Sequence, residues 1–462
     1  MQESSHKLTQ VDSILYAKWI LPVLATDSPT QTQIYHQHAL VIKDQKIHAI
    51  VPHSDAERYF QAKESVHLSQ HLLMPGLINA HAHSAMVLFR GMADDLALMD
   101  WLENHIWPNE QRWVNEQFVR EGTQLAIAEM LLSGTTCFAD MYFFPNIAAE
   151  VANECGIRAL LHCPIIDVPT NWAKTPDEYL EKAIDLAKHF QKHPRVEIGL
   201  GPHAPYTVSD DTFKKVLAAK EQYELKVQIH LHETQFEVDS SLQHHQMRPI
   251  ARLDQLGFLF EHLQAVHMTA LTPEEIDLMS AKKVSIIHCP QSNLKLASGF
   301  CPVHALIQKG VTVALGTDGA SSNNDLDLFS EMQTAALIAK AVSHQPQAMP
   351  AIEAVKMATL QGARALQLHT RIGSLEVGKE ADCIAIDFSD LSMFPCYNPV
   401  SHLVYSAVRQ MVTHVWVQGV PLVKERQFTE HVPLNPETLK YNAQRWYETI
   451  RSPHKLESPP KL

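Results

Sequence analysis

Positive charge is in short supply in this chain: 38 lysines and arginines stand against 51 aspartates and glutamates, a formal charge of −13. Such a surface opposes the phosphate neutralisation on which nucleic-acid binding depends, so no nucleic-acid partner is expected. No apolar stretch approaches the ~20 residues that a membrane span needs, which removes the bilayer as a partner. The opening residues MQESSHKLTQ carry no basic segment leading into an apolar run, the pattern of a secretory signal, and the expected compartment is the cytoplasm. Cysteine is sparse, with seven residues and no CxxC pair, which fits neither a disulfide framework nor a thiolate metal site. Also missing are GxGxxG and Walker loops, the marks of dinucleotide and nucleoside-triphosphate folds.

What is present is an ordinary globular composition, 45% hydrophobic and 19% charged, over 462 residues. That length accommodates one α/β barrel of roughly 250 residues and a smaller unit beside it. Strand-like segments occupy the first 72 residues: VDSILYAKWILPVL, then HALVIKDQKIHAIV with a turn at Asp44-Gln45-Lys46, then SVHLSQHLLMPG. The same texture returns in ADCIAIDF and in MVTHVWVQGVPLV, where Gln418-Gly419 marks a hairpin. Between them eight short apolar runs alternate with helical or loop stretches: HLLMPGLINA, TTCFADMY, IRALLHCP, VEIGLGPHA, LKVQIHLHE, LQAVHM, KVSIIHCP and VTVALGTDG. Eight such units close a (β/α)8 barrel. The expected fold is therefore α/β: a TIM-like barrel over 73–370, a small β-sandwich built from 1–72 and 371–425, and a polar tail, 426–462, lying across the surface.

Histidine is the abundant residue, 28 in all, about twice ordinary usage. Most must be bland, and only those with ligand spacing carry chemistry. Polar side chains sit just beyond the apolar part of nearly every run: His81, His83, Asp140, His162, His203, His230, Glu233, His267, His288 and Asp318. This is the rim on which barrel enzymes build their sites. His81 and His83, two apart at a strand end, leave the same face and can share one ion, although an isolated HxH is as readily two unrelated histidines. His230 closes the fifth run, and Glu233 follows as a carboxylate able to sit beside a metal without ligating it. His232, on the opposite face, is read as structural. Asp318 ends the eighth run. Three imidazoles and one carboxylate leave a divalent ion with a net charge of +1 and room for water, a catalytic rather than a closed structural site. His267 is either a further ligand or a donor that orients the nucleophile.

These residues resemble the amidohydrolase superfamily, in the branch of the 5′-methylthioadenosine and S-adenosylhomocysteine deaminases and the related chlorohydrolases. The segments that carry the likeness are MPGLINAHAHSAM (74–86), HLHE (230–233), AVHMT (265–269), HCPQSNLKLASG (288–299), LGTDGASSNND (315–325) and GSLEVGKEADCIAID (373–387). The resemblance implies one divalent ion per chain, zinc by preference, on His81, His83, His230 and Asp318. It further implies that His267 orients the attacking hydroxide, that Glu233 and Asp318 move protons, and that Glu110, His203, Glu233 and Ser322 contact a nucleoside. A homo-oligomer is implied too. One departure stands out: where some members place an arginine for the 5′ substituent, this chain reads DVPTNWAKTPDEYLEKA, so Trp172 or Lys174 takes that space. The expected reaction is hydrolytic deamination of an adenine nucleoside (5′-methylthioadenosine, S-adenosylhomocysteine or adenosine), with guanine or a triazine as the alternative substrate.

Overall fold

The structure, a computed structural model, describes residues 8–28 and 30–452. Strands β1 (Thr9–Ile20), β2 (Tyr35–Lys43), β3 (Lys46–Pro52) and β4 (Phe60–Pro75) come from the N-terminal end, and β13 (Cys383–Asp387), β14 (Val412–Val417), β15 (Val420–Lys424) and β16 (Gln427–Phe428) from the C-terminal end. All eight form one hydrogen-bonded sheet in the order β16-β15-β14-β13-β4-β1-β2-β3. The two ends meet where β13 runs antiparallel to β4, Cys383 opposite Pro75 and Asp387 opposite His71. Both hairpins turn at the residues expected, with left-handed φ values of 52° and 67° at Asp44 and Gln45 and of 51° and 72° at Gln418 and Gly419. Those values match the type I′ geometry whose twist suits flanking strands.

Between them lie β5 (Leu77–Ala82), β6 (Thr135–Asp140), β7 (Arg158–Ile165), β8 (Val196–Pro202), β9 (Gln228–Leu231), β10 (Gln264–His267), β11 (Ser285–His288) and β12 (Val313–Leu315). Each of the eight apolar runs supplies one of them. They form two parallel four-stranded sheets, β5-β6-β7-β8 and β12-β11-β10-β9. Single parallel bridges link the sheets at both seams, Ala82 with Asp318 and Leu200 with Val227. The first run is divided: residues 71–75 finish β4, the chain turns at Gly76, and β5 begins at Leu77. A side chain at Gly76 would bring its Cβ within 2.1 Å of Thr136 Oγ1, so close approach of β6 requires glycine there.

A buried ion pair ties the terminal sheet to the end of β7 remote from the rim. Arg158, 2% exposed, donates from Nε and Nη2 to the two carboxylate oxygens of Asp382, each 3.1 Å away, and from Nη2 to Glu380 at 2.6 Å.

The expected polar tail is more ordered than its composition suggested. Residues Pro436–Arg451 form a helix whose N-cap, Asn435, accepts from the backbone N–H groups of Glu437 and Thr438. Trp446 anchors it, its ring 5.1 Å from that of Phe118 and its Nε1 donating to Glu121 at 2.6 Å. The part of that tail beyond 452 lies outside the described residues. No described helix is long and apolar enough to cross a membrane, and all seven cysteines are free.

Candidate active site

The rim at the C-terminal ends of the strands brings His81, His83, His230, His267 and Asp318 together. His81 and His83 direct Nε2 at Asp318 Oδ1, at 3.4 and 3.2 Å, and His230 Nε2 lies 3.2 Å from His81 Nε2. His81, His230 and His267 form a second close group that shares His81. In every one of the four rings Nδ1 is taken up by an oxygen that can only accept. His81 Nδ1 donates to Gln228 Oε1 at 2.6 Å, His83 to the Met141 carbonyl at 2.6 Å, His230 to the His203 carbonyl at 2.8 Å and His267 to Asn293 Oδ1 at 2.9 Å. Each neutral ring is thereby fixed in the tautomer whose Nε2 lone pair faces inward, the usual arrangement around a metal ligand. Asp318 is prepared in the same way. Its Oδ2 accepts from the hydroxyls of Ser292 at 2.6 Å and Ser322 at 2.9 Å, which leaves Oδ1 toward the imidazoles.

Side-chain and backbone contacts between the two sheets set the register of these groups. Asn79 and Thr317 bond reciprocally, at 2.7 and 3.0 Å, and Asp318 N–H donates to the His81 carbonyl at 3.0 Å. Gly316 permits this approach, since a Cβ there would lie 2.8 Å from the backbone nitrogen and the Cβ of His81. The rim residues His232, His267, Met268 and Asp318 all hold left-handed φ values, 50°, 75°, 53° and 62°.

Electrostatically the cluster favours positive charge beside Asp318. Burial takes the His81 ring down to about 4. Burial also opposes charge on His83, but the Asp318 carboxylate outweighs it and holds that ring up at about 9. Burial and the neighbouring Asp318 push Glu233 up to about 8. A divalent ion suits this set, taking the place of the proton that Asp318 holds on His83: inward ring nitrogens, one carboxylate oxygen, and, among the described residues, no competing ammonium or guanidinium in the lining.

The cluster opens into a cavity of about 370 Å³. Glu233 stands at its base with Oε2 3.7 Å from His267 Nε2. Glu110 lines the wall from the helix Trp107–Trp113, which follows a π-helical turn over Trp101–Ile106. Burial raises its carboxyl to about 7, against the opposing pull of Tyr142 and His83. His203 also lines the cavity. The Thr207 hydroxyl gives its proton to the Ala204 carbonyl and accepts from His203 Nδ1 at 2.9 Å, so His203 Nε2 is an acceptor.

Two expected contacts lie elsewhere. Ser322 is buried behind Asp318 and touches that carboxylate, not the cavity. Trp172 is turned inward, its ring 5.5 Å from that of Tyr179, and Thr170 and Asn171 face the cavity in its place. Lys174 is exposed and its ammonium is hydrogen-bonded to the Thr170 carbonyl. Of the remaining rim residues, Asp140 binds the backbone N–H and hydroxyl of Ser84, while His162 and His288 are buried away from the lining. His232 is held through its ring by the Ala270 carbonyl at 3.1 Å.

Sequence reasoning overlooked Gln228, Ser292 and Asn293. Gln228 carried a usable signal, because it precedes the ligand-spaced His230 by two residues on a strand and so shares its face. Replacing Gln228 with leucine should leave the His81 Nδ1–H without an acceptor and weaken divalent-metal affinity by about 10–100-fold, the usual cost of losing such a partner. Competition against a chelator of known affinity measures this, and an unchanged affinity would remove Gln228 from the metal centre.

Comparison with known proteins agrees with this geometry. Residues 72–422 match the amidohydrolase family model. The chain belongs to the amidohydrolase family. It is 51% identical to a 5-methylthioadenosine/S-adenosylhomocysteine deaminase of Saccharophagus degradans, across 91% of this chain and 93% of that one. A protein of the same description from Teredinibacter turnerae is 48% identical, across 96% and 98% of the two chains. Among solved structures, a zinc-bound adenosine deaminase from Xanthomonas campestris superposes with a TM-score of 0.93 at 44% identity, across 96% of this amidohydrolase and all of that chain.

Proposed function

We propose that this amidohydrolase hydrolyses the amino group from an adenine nucleoside, giving the inosine analogue and ammonia, and that it favours nucleosides with a small uncharged 5′ group. The observation that carries the reading is the convergence of four Nε2 atoms and one carboxylate oxygen at the base of a cavity that also presents Glu233. His81, His83, His230 and Asp318 would hold the ion, with zinc favoured by the zinc-bound neighbour. Such an ion would supply hydroxide at neutral pH by lowering the pKa of water. Glu233, whose ionised form a cation beside it would favour, accepts a proton from the nucleophile and returns it to the ring nitrogen beside the amino-bearing carbon. Asp318 assists transfer to the departing amine, and His267 orients the attack. Glu110 offers a carboxylate to the vicinal ribose hydroxyls, and His203 Nε2 offers a further acceptor. The two parallel sheets, bridged at both seams, are read as one (β/α)8 barrel over 73–370, with 1–72 and 371–425 as a β-sandwich beside it. Seven free thiols suit the cytoplasm.

The 5′ preference rests on the lining. Trp101, Leu102, Trp107, Phe143 and Ile166 make the outer wall apolar, and among the described residues no lysine or arginine contributes to it. A carboxylate carried on the 5′ chain would find no cation, forgoing a charge-assisted hydrogen bond worth about 1.5–3 kcal/mol. Metal-loaded protein should therefore turn over 5′-methylthioadenosine and 5′-deoxyadenosine with kcat/KM at least about tenfold above S-adenosylhomocysteine. Ammonia release across these substrates, 2′-deoxyadenosine, guanine and an aminotriazine is the test. Equal turnover of S-adenosylhomocysteine would overturn the 5′ preference, and faster turnover of guanine or the triazine would overturn the nucleoside reading.

A further inference from the structure

Glu233 follows a strand end at which the backbone turns sharply. After β9, His232 takes a left-handed φ of 50°, Thr234 becomes an N-cap, and the helix Gln235–His245 begins. For a residue other than glycine such a φ persists only if its surroundings impose it. Here the imposing group is identifiable. Glu237, 3% exposed and in the first turn of that helix, reaches back with both carboxylate oxygens: Oε1 accepts from the His232 N–H at 2.9 Å and Oε2 from the Glu233 N–H at 3.0 Å. Thr234 Oγ1 accepts from the Glu237 N–H at 3.3 Å, which closes the loop of bonds. From the other side, the Thr269 hydroxyl donates to the Glu233 carbonyl at 2.7 Å. The peptide units flanking Glu233 are thus held at both the donor and the acceptor end, and its side chain alone remains to move.

A buried carboxylate is a costly choice where the only need is to satisfy two amides, because each of its oxygens must be paired. Burial pushes the Glu237 carboxyl up to about 8 and the two backbone N–H groups pull against that; ionised, it sets two acceptors on one planar group at a fixed spacing. No neutral side chain of the same length can do this: glutamine has one acceptor, and its amide N–H groups would face a backbone N–H. We propose that Glu237 is a positioning residue for the deamination, fixing the backbone of Glu233 so that its carboxylate stays between His267 and the substrate, with Thr269 as its counterpart on the carbonyl side. This rests on the role assigned above to Glu233.

Glu237→Gln should keep its metal and a KM within about threefold of the parent, while kcat falls about 10–100-fold, since misplacement of a catalytic group by about 1 Å costs on that scale. The loss should vanish when Glu233 is itself Gln: the double variant should be no slower than Glu233→Gln, because a residue that acts only through another has nothing left to position. If Glu237→Gln slows the Glu233→Gln enzyme by the same factor as the parent, or retains wild-type kcat, the proposal is wrong. Should Glu237→Gln not fold, Thr269→Val carries the same test, with a kcat loss expected in the parent and none in the Glu233→Gln background. A wild-type rate in Glu233→Gln alone would instead refute the role of Glu233, a result separable from either of these.

Discussion

Substituting glutamine for Glu233 is expected to leave metal content and fold unchanged and to lower kcat by about 10²–10⁴-fold, the range over which general acid–base groups contribute. The change is isosteric, and Glu233 is placed here outside the ligand set. What it removes is the capacity to take a proton and give it back, because a carboxamide at that position neither accepts a proton at neutral pH nor releases one. Glu233 is 6% exposed, and its oxygen approaches His267 and faces the cavity. The measurement is steady-state turnover on the best nucleoside, paired with metal analysis of the same preparation. A variant with full metal and full kcat would move the proton-transfer role to another residue. One that lost its metal would make Glu233 a ligand.

The largest effect on stability is expected at Arg158. Truncation to alanine strands Asp382, 3% exposed, and deprives Glu380 of one of its two arginine partners, Arg371 remaining at 2.7 Å. Removing one member of a buried ion pair typically costs about 3–5 kcal/mol, because the remaining charge has left water without compensation. Asp382 also accepts from the Gln418 N–H at 2.8 Å, so its displacement would disturb the hairpin between β14 and β15. Denaturant midpoints of parent and variant test this, together with kcat measured well below the melting range. Arg158 begins β7, at the end opposite the rim, so turnover of the folded variant should match the parent. A stability loss below about 1 kcal/mol would show the pair to be dispensable.

The sequence was legible where a period or a spacing was enforced by burial. All eight runs became the parallel strands because a strand buried on both faces must be apolar throughout. The imidazoles and Asp318 were visible because the last residue of such a strand has no packing reason to be polar. The terminal helix Pro436–Arg451 was missed although Leu439, Ala443, Trp446 and Ile450 recur at helical spacing on one face, because the polar residues around them set the reading of the whole segment. Its cap, Asn435 followed by Pro436, was a further signal. The fate of Trp172 depended on where Tyr179 and Thr170 lay, and Ser322 on Asp318 being within reach; neither contact has a local signature. Glu237 carried a local signal that was passed over: Thr234-x-x-Glu237 has the capping-box spacing, in which the N3 carboxylate folds back toward the backbone before the helix, and here it reaches past the cap to the His232 and Glu233 N–H groups.

The left-handed residues at the rim bear on how this enzyme can change. His232, His267, Met268 and Asp318 each hold a conformation that costs roughly 1–2 kcal/mol for a residue with a Cβ, and two of them, His267 and Asp318, carry side chains on which the site depends. Glycine would relieve that expense at any of these positions and delete the chemistry at His267 and Asp318. Selection for heat resistance and selection for turnover therefore pull in opposite directions along this rim, and lineages adapting to higher temperature must gain their stability elsewhere in the fold.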